Sequence, residues 1–342
     1  MQHFELIVIG GGPGGYVAAI RAAQLKKQVA LIERERVGGT CLNHGCIPTK
    51  TLYRTAEVLM EAQNASRYGV LAENVSLDLE ATRAREQTVV DTLVGGVQSL
   101  LKSNGVSVLS GEAAFADANT VRVGDETYTA DAFLIATGSK TAVLPVEGIG
   151  LDGVLDSTSA LRLDEIPQSL VLIGGGVIGV ELAGIYRAFG AEVTIVEFLP
   201  SILSTLDGEL AKFAAKRLRA QGVTVLTGTK VTKIAGAPGG FTVLAESPDG
   251  ERSLACTHVL CCAGRVPNTD GLNLEAAGVM FDRKGIKVDE DYRTNVRNIY
   301  AIGDVTGRVM LAHVASDEGR VCVERMCGKR TCVDYALVPS CV

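Results

Sequence analysis

From Phe4 to Ile9 the residues FELIVI are nearly all apolar, a run too short for a buried helix and suited to a buried strand. GGGPGG follows directly, and YVAAIRAAQL then spaces its apolar positions for a helix. VALIE, Val29 to Glu33, is the next predicted strand. The same order of strand, glycine turn, helix and strand recurs in SLVLIGGGVIGVELAGIYRAFGAEVTIVE, Ser169 to Glu197. The two turns begin at Gly10 and Gly174, and a strand-end glutamate, Glu33 or Glu197, follows each by 23 positions. This internal repeat predicts two nucleotide-binding units of related construction in an α/β protein.

Elsewhere the pattern predicts a helix from Thr49 through TKTLYRTAEVLMEAQNA and another long helix from Leu77 to Ser103. GVSVLSGEAAF returns to strand character. NTVRVGDETYTADAFLIATGS reads as a turn and small hairpin ending in the strand Ala132 to Ala136 and in Gly138. VTVLTG, FTVLAES and HVLCCAG are further strands, with PDGE as an intervening turn. NIYAIGD is the last, leading into the helical pattern LAHVASDEGRVCVERM.

With 342 residues the chain is long enough for two or three domains. Although 47% of residues are hydrophobic, charges interrupt every apolar run before the roughly 20 residues a membrane helix needs. The start, MQHFELIVIGGG, lacks a basic segment and a small-residue cleavage site, so a cytoplasmic location is expected. The net charge of -6 and the lack of a Lys/Arg cluster beside aromatics argue against nucleic acid as a partner.

Gly10, Gly12 and Gly15 realise GxGxxG, where the glycines serve tight reversal, approach of backbone to pyrophosphate, and contact between helix and strand. The helix N-terminus offers amides to phosphate, and Glu33 can accept ribose hydroxyls. Gly174, Gly176 and Gly179 repeat the pattern with Glu197 at the ribose position. A carboxylate there repels a 2'-phosphate, which favours NAD over NADP. Two dinucleotides in one chain suggest electron transfer, a nicotinamide handling hydride and a flavin exchanging electrons with thiols. Periodicity does not say which repeat holds which.

Nine cysteines, an odd number, fit poorly with an extracellular disulfide scaffold. Cys41 and Cys46 stand apart because they follow the first glycine turn in GGTCLNHGCIPTK. With His44 they form Cys-x2-His-x-Cys, which lacks a convincing fourth ligand for a closed zinc site, so no metal is expected. A redox disulfide is the stronger reading. If Cys46 begins the following helix, chain curvature can bring the sulfurs together and the helix N-terminus can stabilise a thiolate. Neither point establishes reactivity.

GGTCLNHGCIPTK closely resembles the redox-active segment of the flavin-dependent pyridine nucleotide-disulphide oxidoreductases, in particular their dihydrolipoamide dehydrogenase branch. The resemblance extends over essentially the whole chain: the start at Gly10, ATGS at Ala136 to Ser139, the turn at Gly174, GRVPNT at Gly264 to Thr269, AIGD at Ala301 to Asp304, and LAHVASDEG at Leu311 to Gly319. It implies two Rossmann-like FAD/NAD(P)-binding domains of three-layer ββα architecture. The FAD domain would comprise residues 1–148 and 272–342, with an NAD domain, 149–271, inserted in it. Gly10, Gly12, Gly15 and Glu33 would hold the adenine-dinucleotide part of FAD, and Asp304 its ribityl or phosphate region. Gly39, Thr40, Lys50, Ala113, Thr137, Gly138, Leu311, Ala312 and His313 would complete that site.

By the same resemblance Gly174, Gly176, Gly179, Glu197 and Gly264 would bind NAD, with Val177 gating nicotinamide access to the flavin. Cys41 would be the interchange thiol facing a dithiol substrate, and Cys46 the charge-transfer thiol against the flavin. Lys50 would lie beside the flavin N5 region with Glu181 as its acidic partner. The small Val177, Glu197 and the CLNHGCIPTK wording favour the dihydrolipoamide branch over glutathione or mercuric reductase. Its substrate would be dihydrolipoamide, free or on a lipoyl domain of a 2-oxoacid dehydrogenase or glycine-cleavage assembly. The resembling enzymes are homodimers whose C-terminal interface domain carries a His/Glu acid-base pair. No segment here matches it, and none of His3, His44, His258 and His313 corresponds to its histidine. Dihydrolipoamide turnover is therefore expected to be weak. A related flavin disulfide reductase with another acceptor, or a non-catalytic nucleotide-binding interaction protein, are the alternative readings.

Overall fold

The computed structural model describes residues 2–342 and divides into two compact units. One comprises residues up to Asn43, Val90–Lys140 and Arg265–Cys341; the other is built chiefly from His44–Val89 and Thr141–Gly264. The chain begins with β1 (Gln2–Ile9), α1 (Pro13–Gln24) and β2 (Val29–Glu33). After α2 (Gly39–His44), α3 (Cys46–Gln63) and α4 (Leu79–Ser103) come β3 (Ser107–Ser110), β4 (Ala113–Asp117), β5 (Thr120–Val123) and β6 (Glu126–Ile135).

In the first unit the strand order is β3-β2-β1-β6-β5-β4. β1 runs parallel to both neighbours, Leu6 to Ile9 facing Val29 to Ile32, and Ile9 facing Ile135. The early part of β6 pairs antiparallel with β5, whereas its last residues, Phe133 to Ile135, pair parallel with the strand Ile299–Ala301. β6 therefore joins the parallel layer to the antiparallel one. Ile7, Ile9, Ile32, Phe133 and Ile135 pack with Phe115, Val121 and Tyr128 in one core. The alternate residues Leu6, Val8, Leu31 and Leu134 project to the opposite face by the strand pleat and are buried as well. Burial on both faces is why these strands read as unbroken apolar runs.

The second unit repeats this logic. Its parallel strands are ordered Thr224–Leu226, Glu192–Val196, Ser169–Ile173, His258–Cys261, Val154–Leu155. Its helices are α3, the first part of α4, α5 (Ser157–Ala160), α6 (Val177–Ala188) and α7 (Gly208–Ala220); α8 (Ala312–Met326) belongs to the first unit. Leu170 and Leu172 pack against Leu182 and Ala183 of α6, whereas Val171 and Ile173 pack against Phe241 and Val243 of an antiparallel three-stranded sheet. Helices, parallel sheet and antiparallel sheet form three layers around two cores.

Local differences from the sequence pattern have identifiable causes. GVSVLSGEAAF is broken at Gly111, φ +143°, so β3 and β4 lie at opposite ends of the sheet order. The helix predicted from Leu77 begins at Leu79 because the Asp78 side chain accepts the Ala81 N–H at 2.9 Å and caps it. The helix predicted from Thr49 starts earlier, at Cys46, and the short α2 before it has too few turns to show a period. Among the described residues no helix is long and apolar enough to cross a membrane.

Phe133 is fully buried and meets Phe115 edge-to-face with ring centroids 5.3 Å apart. Replacing it by alanine is expected to lower the unfolding free energy by about 3–5 kcal/mol, measured by urea titration.

Candidate functional site

Each glycine turn is built from the same contacts. The Gly10 N–H donates to the Ile32 carbonyl at 2.8 Å, and the Gly174 N–H to that of Val196 at 2.9 Å. The first glycines have φ of +102° and +111°, backbone conformations that favour glycine. A Cβ on Gly15 would fall into the Gly10 carbonyl oxygen, and one on Gly179 into that of Gly174. Glycine at these third positions lets the helix start directly on the turn. Gly12 and Gly176 are the N-caps of α1 and α6, and neither has a side-chain cap. A Cβ on Gly176 would meet no described atom within 4 Å, and one on Gly12 only Gly39 Cα at 3.9 Å.

The strand-end acids are fixed from behind. Glu33 accepts the Gly11 N–H on Oε2 at 2.7 Å and the Glu35 N–H on Oε1 at 2.9 Å. Glu197 accepts from Gly175 at 2.6 Å and from Leu199 at 2.7 Å in the same manner. Gly39 begins α2 against the first turn: a Cβ there would lie 2.6 Å from Gly12 Cα. Thr40 is the second residue of α2 and exposed, and Val177 is the first residue of α6.

Cys41 lies on α2 and Cys46 is the first residue of α3; the two are joined in a disulfide. Free amides at a helix start favour a thiolate there once the bond is reduced. One turn on, Lys50 Nζ donates to both oxygens of Glu181 on α6, at 2.8 and 2.7 Å. The lysine side chain is 59% exposed and the glutamate 15%, so the carboxylate is the shielded partner. Arg162 lies with its guanidinium 2.8 Å from His44 Nδ1, a contact that no local spacing announces. Four of the remaining cysteines differ in character: burial pushes the Cys256 thiol up to about 11, and also raises Cys261, Cys262 and Cys322. Such thiols ionise too little to compete as nucleophiles.

A third group of residues converges on Asp304. Ser139 Oγ donates to Asp304 Oδ2 at 2.5 Å, and Arg265 holds Ser139 through its hydroxyl at 2.8 Å and its carbonyl at 2.6 Å. Thr137 Oγ1 donates to the Asn268 carbonyl at 2.7 Å, and the Asn268 N–H returns to the Gly138 carbonyl at 3.0 Å. ATGS and GRVPNT are thus stitched together beside AIGD. Ser139, Arg265 and Asn268 are the residues that sequence reasoning missed, although they lie in the segments it singled out. Leu311 is the N-cap of α8, Ala312 its first residue, and His313 Nε2 donates to the Pro339 carbonyl at 3.1 Å. The Ala113 side chain is packed in the core, and Gly264, φ +110°, accepts the Ala142 N–H at 3.0 Å. No described group of three His, Cys, Asp or Glu side chains is arranged to hold a metal ion.

Residues 4–319 match the pyridine nucleotide-disulphide oxidoreductase family. The chain belongs to that family. It is 45% identical to a dihydrolipoyl dehydrogenase of Geobacillus stearothermophilus over 99% of its own length and 73% of that protein's. Identity to the dihydrolipoyl dehydrogenase of Bacillus subtilis strain 168 is 44%, with 99% and 73% covered. Among solved structures, the HOCl-induced flavoprotein disulfide reductase RclA from Escherichia coli superposes with a TM-score of 0.84 at 32% identity, covering 95% of this chain and 72% of that one. The chain is accordingly an FAD- and NAD-dependent dithiol/disulfide oxidoreductase. Its turns fit such cofactors: open second glycines, uncapped helix starts for phosphate, and preset carboxylates for hydroxyls.

Alkylation of the denatured, oxidised protein should label seven of the nine cysteines, and all nine after reduction, as read by mass spectrometry. Nine labels without reductant would show that Cys41 and Cys46 are not paired.

Proposed function

We propose that this family member oxidises dihydrolipoamide, free or carried on a lipoyl domain, at Cys41 and Cys46 and delivers the electrons to NAD. The observation that carries the reading is the disulfide between α2 and the start of α3, in a chain 45% identical to a dihydrolipoyl dehydrogenase. One substrate thiol gives its proton to solvent water and, as thiolate, attacks Cys41 Sγ, breaking the Cys41–Cys46 bond and releasing Cys46 as a thiolate. The second substrate thiol, after giving its own proton to solvent water, attacks the substrate sulfur of the mixed disulfide, closing the substrate's disulfide and freeing the Cys41 thiolate. Two electrons now reside on the protein dithiol. Bound FAD supplies the two-electron relay between this dithiol and the nicotinamide.

The residues divide the remaining tasks. Cys46, at a helix start, is the better leaving thiolate, because helix-start amides stabilise negative charge on a sulfur placed there. Lys50, oriented by Glu181, would supply positive charge to the flavin, and the small Val177 would leave room for the nicotinamide. Gly10, Gly12, Gly15, Glu33, Gly39, Thr40, Ala113, Thr137, Gly138, Asp304, Leu311, Ala312 and His313 would hold FAD; Gly174, Gly176, Gly179, Glu197 and Gly264 would hold NAD. This division makes 1–148 with 272–342 the FAD domain and 149–271 the inserted NAD domain. A 2-oxoacid dehydrogenase or glycine-cleavage assembly is the partner that such a substrate implies.

Anaerobic addition of NADH to the FAD-loaded protein should produce a long-wavelength thiolate-to-flavin absorbance that C46S lacks; persistence of the band in C46S would sink the role given to Cys46. Glu197→Ala should weaken NAD binding about tenfold and narrow the preference over NADP, in a titration of both nucleotides. An unchanged preference would remove Glu197 from the ribose site.

A further inference from the structure

AIGD is held from behind by a buried acid that the chemistry above does not use. Glu318, on α8, is 1% exposed. Its Oε2 accepts the Gly303 N–H at 2.6 Å, and its Oε1 accepts the Tyr335 hydroxyl at 2.6 Å. That hydroxyl lies 3.2 Å from the hydroxyl of Tyr292. Tyr292 is itself buried and has φ of +63°, a strained conformation for a bulky side chain, and its carbonyl accepts the Ala301 N–H at 3.0 Å. Both residues flanking Ile302 are thus tied to one cluster.

Gly303 has φ of +68°, and the residue after it is Asp304. A glycine does not hold such a turn by its own sterics, because it populates many conformations with little difference in energy. Partners outside the residue select this one: Glu318 accepts its N–H at 2.6 Å, and the Thr306 hydroxyl donates to its carbonyl at 2.8 Å. Ser139 fixes the Asp304 carboxylate from the side-chain direction, and Glu318 fixes the backbone that carries it. Burial drives the Glu318 carboxyl upward, and the Tyr335 hydroxyl and Gly303 amide offset part of that rise. A carboxyl is thus kept in a costly place by the two donors it organises.

We propose that Glu318 is a positioning residue for the flavin dinucleotide: by accepting the Gly303 N–H it holds the left-handed turn that presents Asp304, and Tyr335 orients its carboxylate. This rests on the assignment of Asp304 to FAD binding. The role is indirect and concerns cofactor affinity.

The test is FAD binding to apoprotein of the full chain, read by quenching of flavin fluorescence, with a thermal melt of each apo variant. Asp304→Asn and Glu318→Ala should each raise Kd about tenfold, and the double variant should be no weaker than Asp304→Asn alone, because one acts through the other. Glu318→Gln should stay within about threefold of the wild type, since its amide oxygen still accepts the Gly303 N–H. Tyr335→Phe, which removes only the hydroxyl, covers the case in which Glu318→Ala does not fold, and should weaken binding about threefold. Wild-type affinity in Glu318→Ala or Tyr335→Phe beside a weakened Asp304→Asn would overturn the clamp alone, as would additive losses in the double variant. Wild-type affinity in Asp304→Asn would overturn the assignment of Asp304, and the proposal with it.

Discussion

Each nucleotide turn depends on the contact between its first and third glycines. Gly15 and Gly179 lie so close to the carbonyls of Gly10 and Gly174 that a side chain at either would have to displace backbone. This approach lets α1 and α6 begin at the strand ends, with unsatisfied amides where a pyrophosphate would sit. The same turns supply the donors that lock Glu33 and Glu197. The locked carboxylates and the uncapped helix amides are therefore consequences of one packing constraint, met twice in one chain.

The layers behind the turns supply rigidity. Alternate residues of each parallel strand enter different cores, as Leu170 and Leu172 do on the helix side and Val171 and Ile173 on the antiparallel side. A shift of one residue in register would exchange both sets, so the strand ends, and the turns they carry, are placed with little freedom. β6 extends this control in the first unit by pairing with β5 at one end and with Ile299–Ala301 at the other. The strand pairing at Ala301 delivers AIGD to Thr137, Gly138 and Ser139.

Against that frame the sulfur chemistry is local. Cys41 and Cys46 are five positions apart, and the short α2 and the start of α3 suffice to join them. The buried thiols at Cys256, Cys262 and Cys322 show the alternative fate of a cysteine in this protein, ionisation suppressed by loss of water. Position at a helix start, not cysteine content, separates Cys46 from these buried thiols.

The paired strand, turn, helix and strand units were legible in the chain because both their periodicity and their glycine spacing are local properties. So were Glu33 and Glu197, which sit at a fixed distance from each turn, and the cysteine segment, which is contiguous. The division of GVSVLSGEAAF between opposite ends of a sheet was not, since both halves are equally apolar and only their pairing separates them. Nor were the contacts of Ser139 with Asp304 and Arg265, of Arg162 with His44, or of Glu318 with Gly303 and Tyr335. These partners are brought together by strand order and helix packing over long stretches of chain. The sequence by itself determined the kinds of sites and their local form. Tertiary structure decided which side chains hold them in place, because a hydrogen bond between distant residues leaves no period in the chain.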